Sequence, residues 1–200
     1  ASAQGGTWRE QAGDFIGEMD VEESKRLLAE AGFDDNSPLP PIEYVYNTAD
    51  DHKMVAEQLQ AMWREAFGVD VQIQNVEWGV RLQRGRSGEY DLMRHGWYGD
   101  YLDAMTFLEL FETGNNLNDP EYSSERYDQL IESARREVDP IKREKMMMKA
   151  EKLLIEEDCA VIPLFIYSQP VLVQEDIEGI VRNATGDIHY QHARRVGGPE

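Results

Sequence analysis

Residues 42–73 carry the pattern that most limits the fold, because they combine a strand, a helix and a second strand. IEYVY at 42–46 is strand-like, and residues 50–67 place apolar side chains at helical spacing. That stripe consists of Val55, Leu59, Met62, Trp63 and Ala66. Gly68 ends the helix, and VDVQI follows with alternating apolar residues. Two parallel strands need a long crossover between them, so the sequence predicts an α/β fold.

Helix and strand signals continue on both sides of this unit. Before it, Asp20 is a suitable N-cap, Glu23 stands at the capping-box position and Gly32 follows the last turn. A helix is therefore predicted over about 21–31. After the unit, NVEWGVRLQRG predicts a short helix, and YDLMRHGWY predicts a strand that runs out into a loop.

The second half of the chain changes to helices. Three are expected almost in succession, the second beginning near Ser124 and the third after Asp139 and Pro140, where proline suits a first helical turn. AVIPLFIY at 160–167 has the length and β-branched content of a buried strand, although Pro163 favours an edge or a bulge.

These elements favour a single domain, because 200 residues are enough for one well-buried core. The start ASAQGGTW is small and polar, so residues 1–19 are predicted to be a linker or a cut end. Residues 20–182 are predicted to form the α/β lobe, and residues 183–200 an irregular tail.

Charge and cysteine content argue against several classes of partner. The 39 acidic and 20 basic residues give a net charge of −19, which repels phosphate backbones and anionic lipid headgroups. No nucleic-acid or membrane-surface partner is therefore expected. No run approaches the roughly 18 apolar residues of a membrane helix, so direct membrane insertion is not expected either. Cys159 is the only cysteine, and its apolar neighbours predict a buried thiol.

Catalytic and metal sites find little support in the sequence. Asp100 and Asp103 could form the carboxylate pair of a glycoside hydrolase, but spacing in a loop does not fix their separation. Asp103 is better explained as the N-cap of a helix that starts at Ala104. Among the four histidines, the close pair His189 and His192 lacks a third metal ligand. No metal or cofactor is expected.

The stretch RHGWYGDY at 94–101 is the strongest candidate for a ligand site. Two glycines bracket Trp97 and Tyr98, which lets the backbone approach a ligand closely. Arg94 and Asp100 place opposite charges at its ends, which suits a zwitterion, and the aromatic pair supplies apolar contact area. The residue types alone leave open a structural role, in which the aromatic rings pack the strand end and the charges pair with each other.

Several segments, in their order and spacing, resemble a known protein family. They are EESKRLLAEAGF at 22–33, AEQLQAMWREAFGVDVQI at 56–73, GWYGDYLDAMTFLELF at 96–111 and AEKLLIEEDCAVIPLF at 150–165. Together they resemble the carboxy-terminal part of the oligopeptide-binding receptors of ABC importers, the family 5 extracellular solute-binding proteins. The resemblance implies a type II periplasmic-binding-protein-like lobe, with a mixed sheet flanked by helices.

The resemblance also implies roles for individual residues. Asp100 matches the aspartate that grips the α-amine of the ligand, and Trp78 matches an aromatic wall of a side-chain pocket. The residues that match the segment lining the peptide pocket are Arg94, Gly96, Trp97 and Tyr98. Gly85 stands where some relatives carry an arginine for the peptide carboxylate, with Arg84 and Arg86 on either side.

The implied protein is a monomeric receptor that needs no cofactor and carries out no reaction. It captures oligopeptides in the periplasm, or otherwise outside the cytoplasmic membrane, and delivers them to the permease subunits of an ABC importer. Such receptors are more than twice as long, so this chain is expected to supply one of two lobes. The alternatives are a receptor for a dipeptide, a nickel complex or an oligosaccharide, since a scaffold does not fix its ligand, then a hydrolase or an interaction domain.

Overall fold

A parallel sheet organises the first half of the chain. It is seen in a computed structural model that describes residues 5–15, 17, 20–34, 36–183 and 185–197. Strands β1 (Ile42–Asn47) and β2 (Val71–Val76) pair in parallel along their whole length. The short strand β3 (Leu92–Met93) pairs in parallel with the other side of β1, giving the order β2-β1-β3. The strand, helix, strand prediction is confirmed.

Helix α3 (Asp50–Phe67) makes the crossover between β1 and β2, and it ends at Gly68, whose φ of 68° lies in the left-handed region that favours glycine. The apolar faces of α3 and the strands enclose one hydrophobic cluster. Its buried members are Tyr44, Tyr46, Ala56, Val69 and Val71. This cluster fixes the sheet, and with it the places where the strands end.

Local capping explains the helices on either side of this unit. Helix α2 (Val21–Glu30) begins at Asp20, whose carboxylate accepts a hydrogen bond from the Glu23 backbone at 2.9 Å. Helix α4 (Trp78–Ser87) begins at Glu77, whose side chain accepts one from the Gly79 backbone at 2.7 Å. Both helices lie where the sequence predicts them.

The second half forms a separate helical cluster. It comprises α5 (Met105–Leu108), a 3₁₀ turn, α6 (Glu125–Arg136) and α7 (Pro140–Lys152), which continues into one π-helical turn. Tyr127 and Ile131 are fully buried at its centre, and the Tyr127 hydroxyl donates to the Leu108 carbonyl at 2.7 Å. As predicted, α6 begins at Ser124 and α7 at Asp139.

The structure differs from the sequence prediction at both ends of the chain. A short helix, α1 (Trp8–Ala12), interrupts the stretch predicted as a linker, and the Trp8 indole donates to the Glu151 carboxylate at 2.6 Å. The tail predicted as irregular contributes two short antiparallel pairings. They join β4 (Ile177–Glu178) to β7 (Arg194–Arg195), and β5 (Val181–Arg182) to β6 (Ile188–His189).

Two predictions around residue 160 are wrong. Residues 160–167 form no strand, and Ile166 is 93% exposed, because no described strand lies alongside to pair with them. Cys159 is exposed rather than buried. The helix before it ends at Glu157, and Cys159 adopts a φ of 50°, so the chain turns there before the apolar run begins.

Candidate ligand-binding site

All six sequence-predicted site residues lie beyond the carboxyl ends of the parallel strands. Trp78 follows the end of β2, and the residues of 94–100 follow the end of β3. Parallel strands present their carboxyl ends at the same edge of a sheet, where open α/β folds bind ligands. The Thr48 backbone, just after β1, donates to the Val76 carbonyl at 3.0 Å, which ties two of these ends together.

The backbone after β3 is open to a partner. The Arg94 N–H donates to the Val45 carbonyl at 2.8 Å and so extends the β3 pairing by one residue. From residue 95 to residue 99, no backbone N–H or C=O has a hydrogen-bond partner within the described ranges. Because β3 is an edge strand, this stretch can pair with an extended ligand backbone.

The Arg94 side chain does not pair with Asp100. Its Nη2 donates to the Tyr167 hydroxyl at 3.1 Å, and its guanidinium carbon lies 5.9 Å from the centre of the Tyr167 ring. The Tyr167 hydroxyl in turn donates to the Asp51 carboxylate at 3.3 Å. A Cβ at Gly96 would lie 3.1 Å from Nη2, so glycine leaves room for the guanidinium. The sequence did not indicate Tyr167, because it falls in the segment predicted as a buried strand.

The three aromatic residues of the candidate site differ in exposure. Tyr98 is 78% exposed and Trp78 is 51% exposed, so both offer ring surface to a ligand. Trp97 is partly buried, and its ring stacks on His95 at a centroid distance of 6.5 Å. The Trp97 indole N–H is buried and has no hydrogen-bond partner in the described part of the chain. Trp97 therefore combines a packing role with its position at the site.

Asp100 carries an exposed carboxylate that no ion pair occupies within the described residues. Its backbone N–H donates to the Thr106 hydroxyl at 3.0 Å, which anchors this end of the loop to α5. Gly99 allows the close approach, since a Cβ there would lie 3.2 Å from Thr106 and from Phe107. The arrangement leaves a fixed negative charge facing solvent beside the open backbone.

Asp103 is engaged, in contrast to Asp100. One carboxylate oxygen accepts the Met105 N–H at 2.9 Å, which caps α5 as the sequence predicts. The same carboxylate receives both guanidinium arms of Arg143, at 2.6 and 3.0 Å. A catalytic pair made of Asp100 and Asp103 is therefore not favoured, because Asp103 is already committed to two structural contacts.

A buried arginine that the sequence analysis missed lies behind the loop. Arg81, on α4, pairs with Asp119 at 2.9 Å and donates to the Arg94 carbonyl at 3.3 Å. Burial, and then the charge of Arg81, lowers the pKa of the nearby His95, so this imidazole is neutral at neutral pH. The available signal was the spacing of Trp78 and Arg81, which places both on one helix face.

Other features of the described residues do not point to a competing site. A cavity of about 710 Å³ lies between α4 and the loop 113–123, and none of the six predicted residues lines it. In the described ranges, no cluster of His, Cys, Asp and Glu could hold a metal ion. Nor is any described helix both long and apolar enough to cross a membrane.

Comparison with known proteins identifies the family. The family model described as bacterial extracellular solute-binding proteins, family 5 middle, matches residues 2–119, which is more than half of the chain. The chain belongs to this family. Its family 5 relatives include the dipeptide-binding protein DppE of Bacillus subtilis, 36% identical over 94% of this chain and 35% of that protein. The chain thus spans about a third of the length of the curated relatives it matches.

Solved structures of other family 5 proteins share the fold. An oligopeptide ABC transporter substrate-binding domain from Bacillus anthracis superimposes with a TM-score of 0.84 and 26% identity, covering 98% of this chain and 38% of that one. OppA of Listeria monocytogenes, solved with bound peptide, gives a TM-score of 0.75 and 28% identity over 96% of this chain and 36% of that one. The type II periplasmic-binding-protein-like fold inferred from the sequence is therefore confirmed.

Proposed function

We propose that this chain supplies the 20–182 lobe of a receptor that captures oligopeptides outside the cytoplasmic membrane. The receptor would act as a monomer, deliver the peptide to the permease of an ABC importer and catalyse no reaction. One observation carries the proposal: the unpaired Asp100 carboxylate stands next to five residues of unpaired backbone at a sheet edge. A peptide with a free amine matches both features, because it offers an ammonium group and a main chain.

The proposed contacts follow the loop from Asp100 back towards the sheet. The ligand ammonium group binds Asp100, and the ligand backbone pairs in extended form with residues 95–98, including Gly96. Main-chain pairing is indifferent to sequence, so it suits a receptor for varied peptides. Because Arg94 is held by a neutral hydroxyl rather than a carboxylate, its charge remains available to a ligand carboxylate.

The exposed aromatic rings supply the apolar part of the proposed site. Trp78 and Tyr98 offer ring surface on which ligand side chains can pack with little sequence preference. Trp97 supports the loop by its stacking on His95. Relatives named for dipeptide and oligopeptide binding support this class of ligand. Dipeptides, nickel complexes and oligosaccharides remain the alternatives within the fold, and Asp100 favours ligands that carry an amine.

The test is a titration of the ¹⁵N-labelled chain with trialanine, followed by NMR. Trialanine should shift the amide signals of Gly96, Gly99 and Asp100, with millimolar affinity, because one lobe holds only part of a cleft that closes between two lobes. A charge-assisted hydrogen bond contributes about 1.5–3 kcal/mol, so Asp100→Asn should weaken binding by roughly 10- to 150-fold. N-acetyl-trialanine should bind as weakly to the wild type as trialanine binds to the variant.

Glu22→Gln is the matched control, since it removes one negative charge from a side chain that is 88% exposed on α2. It should leave trialanine affinity unchanged. Equal affinity of Asp100→Asn and wild type for trialanine would contradict the assignment of Asp100. Release of free alanine during the titration would instead support a hydrolase.

A further inference from the structure

Arg81 is a buried charge directly behind the candidate site. Its side chain is only 4% exposed, and a charge so buried requires a partner to be stable. The Asp119 carboxylate provides that partner, while the Arg94 carbonyl accepts a hydrogen bond from Nη2. The guanidinium carbon also lies 5.8 Å from the centre of the Trp78 ring. Arg81 therefore touches both a proposed aromatic wall and the first residue of the site loop.

Gly85 allows Asp119 to reach Arg81. A Cβ at this position on α4 would lie 2.9 Å from Oδ2 of Asp119 and 3.0 Å from its Cγ, closer than packed atoms normally approach. The Asp119 backbone is held in turn by the Tyr90 hydroxyl, which donates to its carbonyl at 2.7 Å. The absent side chain of Gly85 thus creates the space that the Asp119 carboxylate fills.

Asp119 also faces the second aromatic contact of the site. Its Oδ2 lies 3.6 Å from Nε2 of His95, and the His95 ring stacks on Trp97. The charges that face His95 come from three elements: Arg81 on α4, Asp119 on the loop before α6, and Arg94 on the site loop itself. One ion pair therefore borders both sides of the proposed binding surface.

We propose that Arg81, Asp119 and Gly85 form a positioning unit that holds Trp78 and the segment 94–97 in one arrangement for the ligand. None of the three needs to touch the peptide. Groups that are already fixed lose less conformational freedom on binding, so this unit raises affinity by pre-organisation. The ligand part of the proposal rests on the proposed function. The positioning itself can be measured without any peptide.

The first test is the titration of His95, followed by NMR in the 200-residue chain. Arg81→Met removes a positive neighbour and leaves Asp119, so the pKa of His95 should rise. Asp119→Asn removes the negative neighbour and leaves Arg81, so the pKa should fall below that of the wild type. A unit that only supported the fold would give the same direction twice, because loosened packing hydrates His95 and raises its pKa in both variants. That result would overturn the proposal.

The second test keeps every charge in place. Gly85→Ala should displace the Asp119 carboxylate and shift the Trp78 indole signal and the His95 signals. Gln83→Ala, on the exposed face of the same helix, is the matched control and should leave these signals unchanged. Trialanine affinity should fall about two- to fivefold in Gly85→Ala, the size expected when one exposed cation–π contact no longer holds its ring.

The two tests separate this proposal from the proposed function. If wild-type chain does not bind trialanine, the proposed function fails, and the His95 and Trp78 signals still decide the positioning unit. If the wild type binds trialanine and Gly85→Ala leaves both signals and the affinity unchanged, the positioning unit is refuted and the proposed function stands.

Discussion

Replacement of Asp103 should destabilise the chain without removing a ligand contact. Its carboxylate caps α5 through the Met105 N–H and pairs with both arms of Arg143 on α7. Asp103→Ala removes the cap and the ion pair together. Asp103→Asn retains a good capping side chain and removes only the charge, so the two variants separate the two contributions.

The structure sets the size of each contribution. Loss of an N-cap costs about 1 kcal/mol. The Asp103 and Arg143 side chains are 30% and 27% exposed, so the pair is neither fully solvated nor buried, and its two-armed geometry supports about 1 kcal/mol. The free energy of unfolding should therefore fall by about 2 kcal/mol in Asp103→Ala and by about 1 kcal/mol in Asp103→Asn.

The stabilisation should depend on pH in a defined direction. Burial raises the pKa of the Asp103 carboxyl, but hydrogen bonds from Arg143 and from the Met105 backbone outweigh it, and the pKa lies below its usual range. The contribution is therefore complete above the unfolded-state pKa of about 3.9 and is lost as the pH falls through the lower, folded-state pKa. The difference between wild type and Asp103→Asn should shrink accordingly in acid.

Urea unfolding at neutral pH and in acid measures these differences. Arg143→Met and the double variant with Asp103→Asn complete a double-mutant cycle, whose coupling energy should be about 1 kcal/mol at neutral pH. Trialanine binding should persist in Asp103→Asn. A coupling energy near zero would refute the inferred ion pair, and loss of peptide binding in a folded Asp103→Asn chain would refute its purely structural role.

Two further predictions concern burial. Tyr127→Phe should lower the free energy of unfolding by about 1–3 kcal/mol, because the buried Leu108 carbonyl loses its donor, whereas Tyr101→Phe, at a partly exposed ring, should stay within about 0.5 kcal/mol. Urea denaturation measures both, and equal effects would contradict the buried hydrogen bond. Cys159 should react with Ellman's reagent in the folded chain almost as fast as in urea, since its residue is exposed. Strong protection in the folded state would show that the thiol is covered.

The parts of the fold that local contacts determine could be predicted from the sequence. Asp20, Ser124 and Asp139 each bond backbone groups two or three residues away, so the residue type alone marks the helix start. The crossover from β1 to β2 was predictable for a similar reason, since it lies within one continuous segment. The six site residues were found through family resemblance, which carries information on long-range placement.

Predictions failed where distant residues decide the outcome. The run at 160–167 has the composition of a buried strand, but burial requires a neighbouring strand, and composition does not supply one. Cys159 has apolar neighbours and is still exposed, because its backbone adopts a positive φ. Arg81 and Asp119 meet across separate elements, and the only local trace of their contact is the missing side chain at Gly85.

The unpaired outer edge of β3 also bears on how separate copies of the chain meet. An edge that accepts an extended peptide can in principle accept the same edge of a second molecule, and such pairing is a common route to aggregation. Here the regular strand is two residues long, and a net charge of −19 makes copies repel each other before their edges can align. A small zwitterion meets no such barrier. The same edge can therefore admit a ligand and still resist self-association.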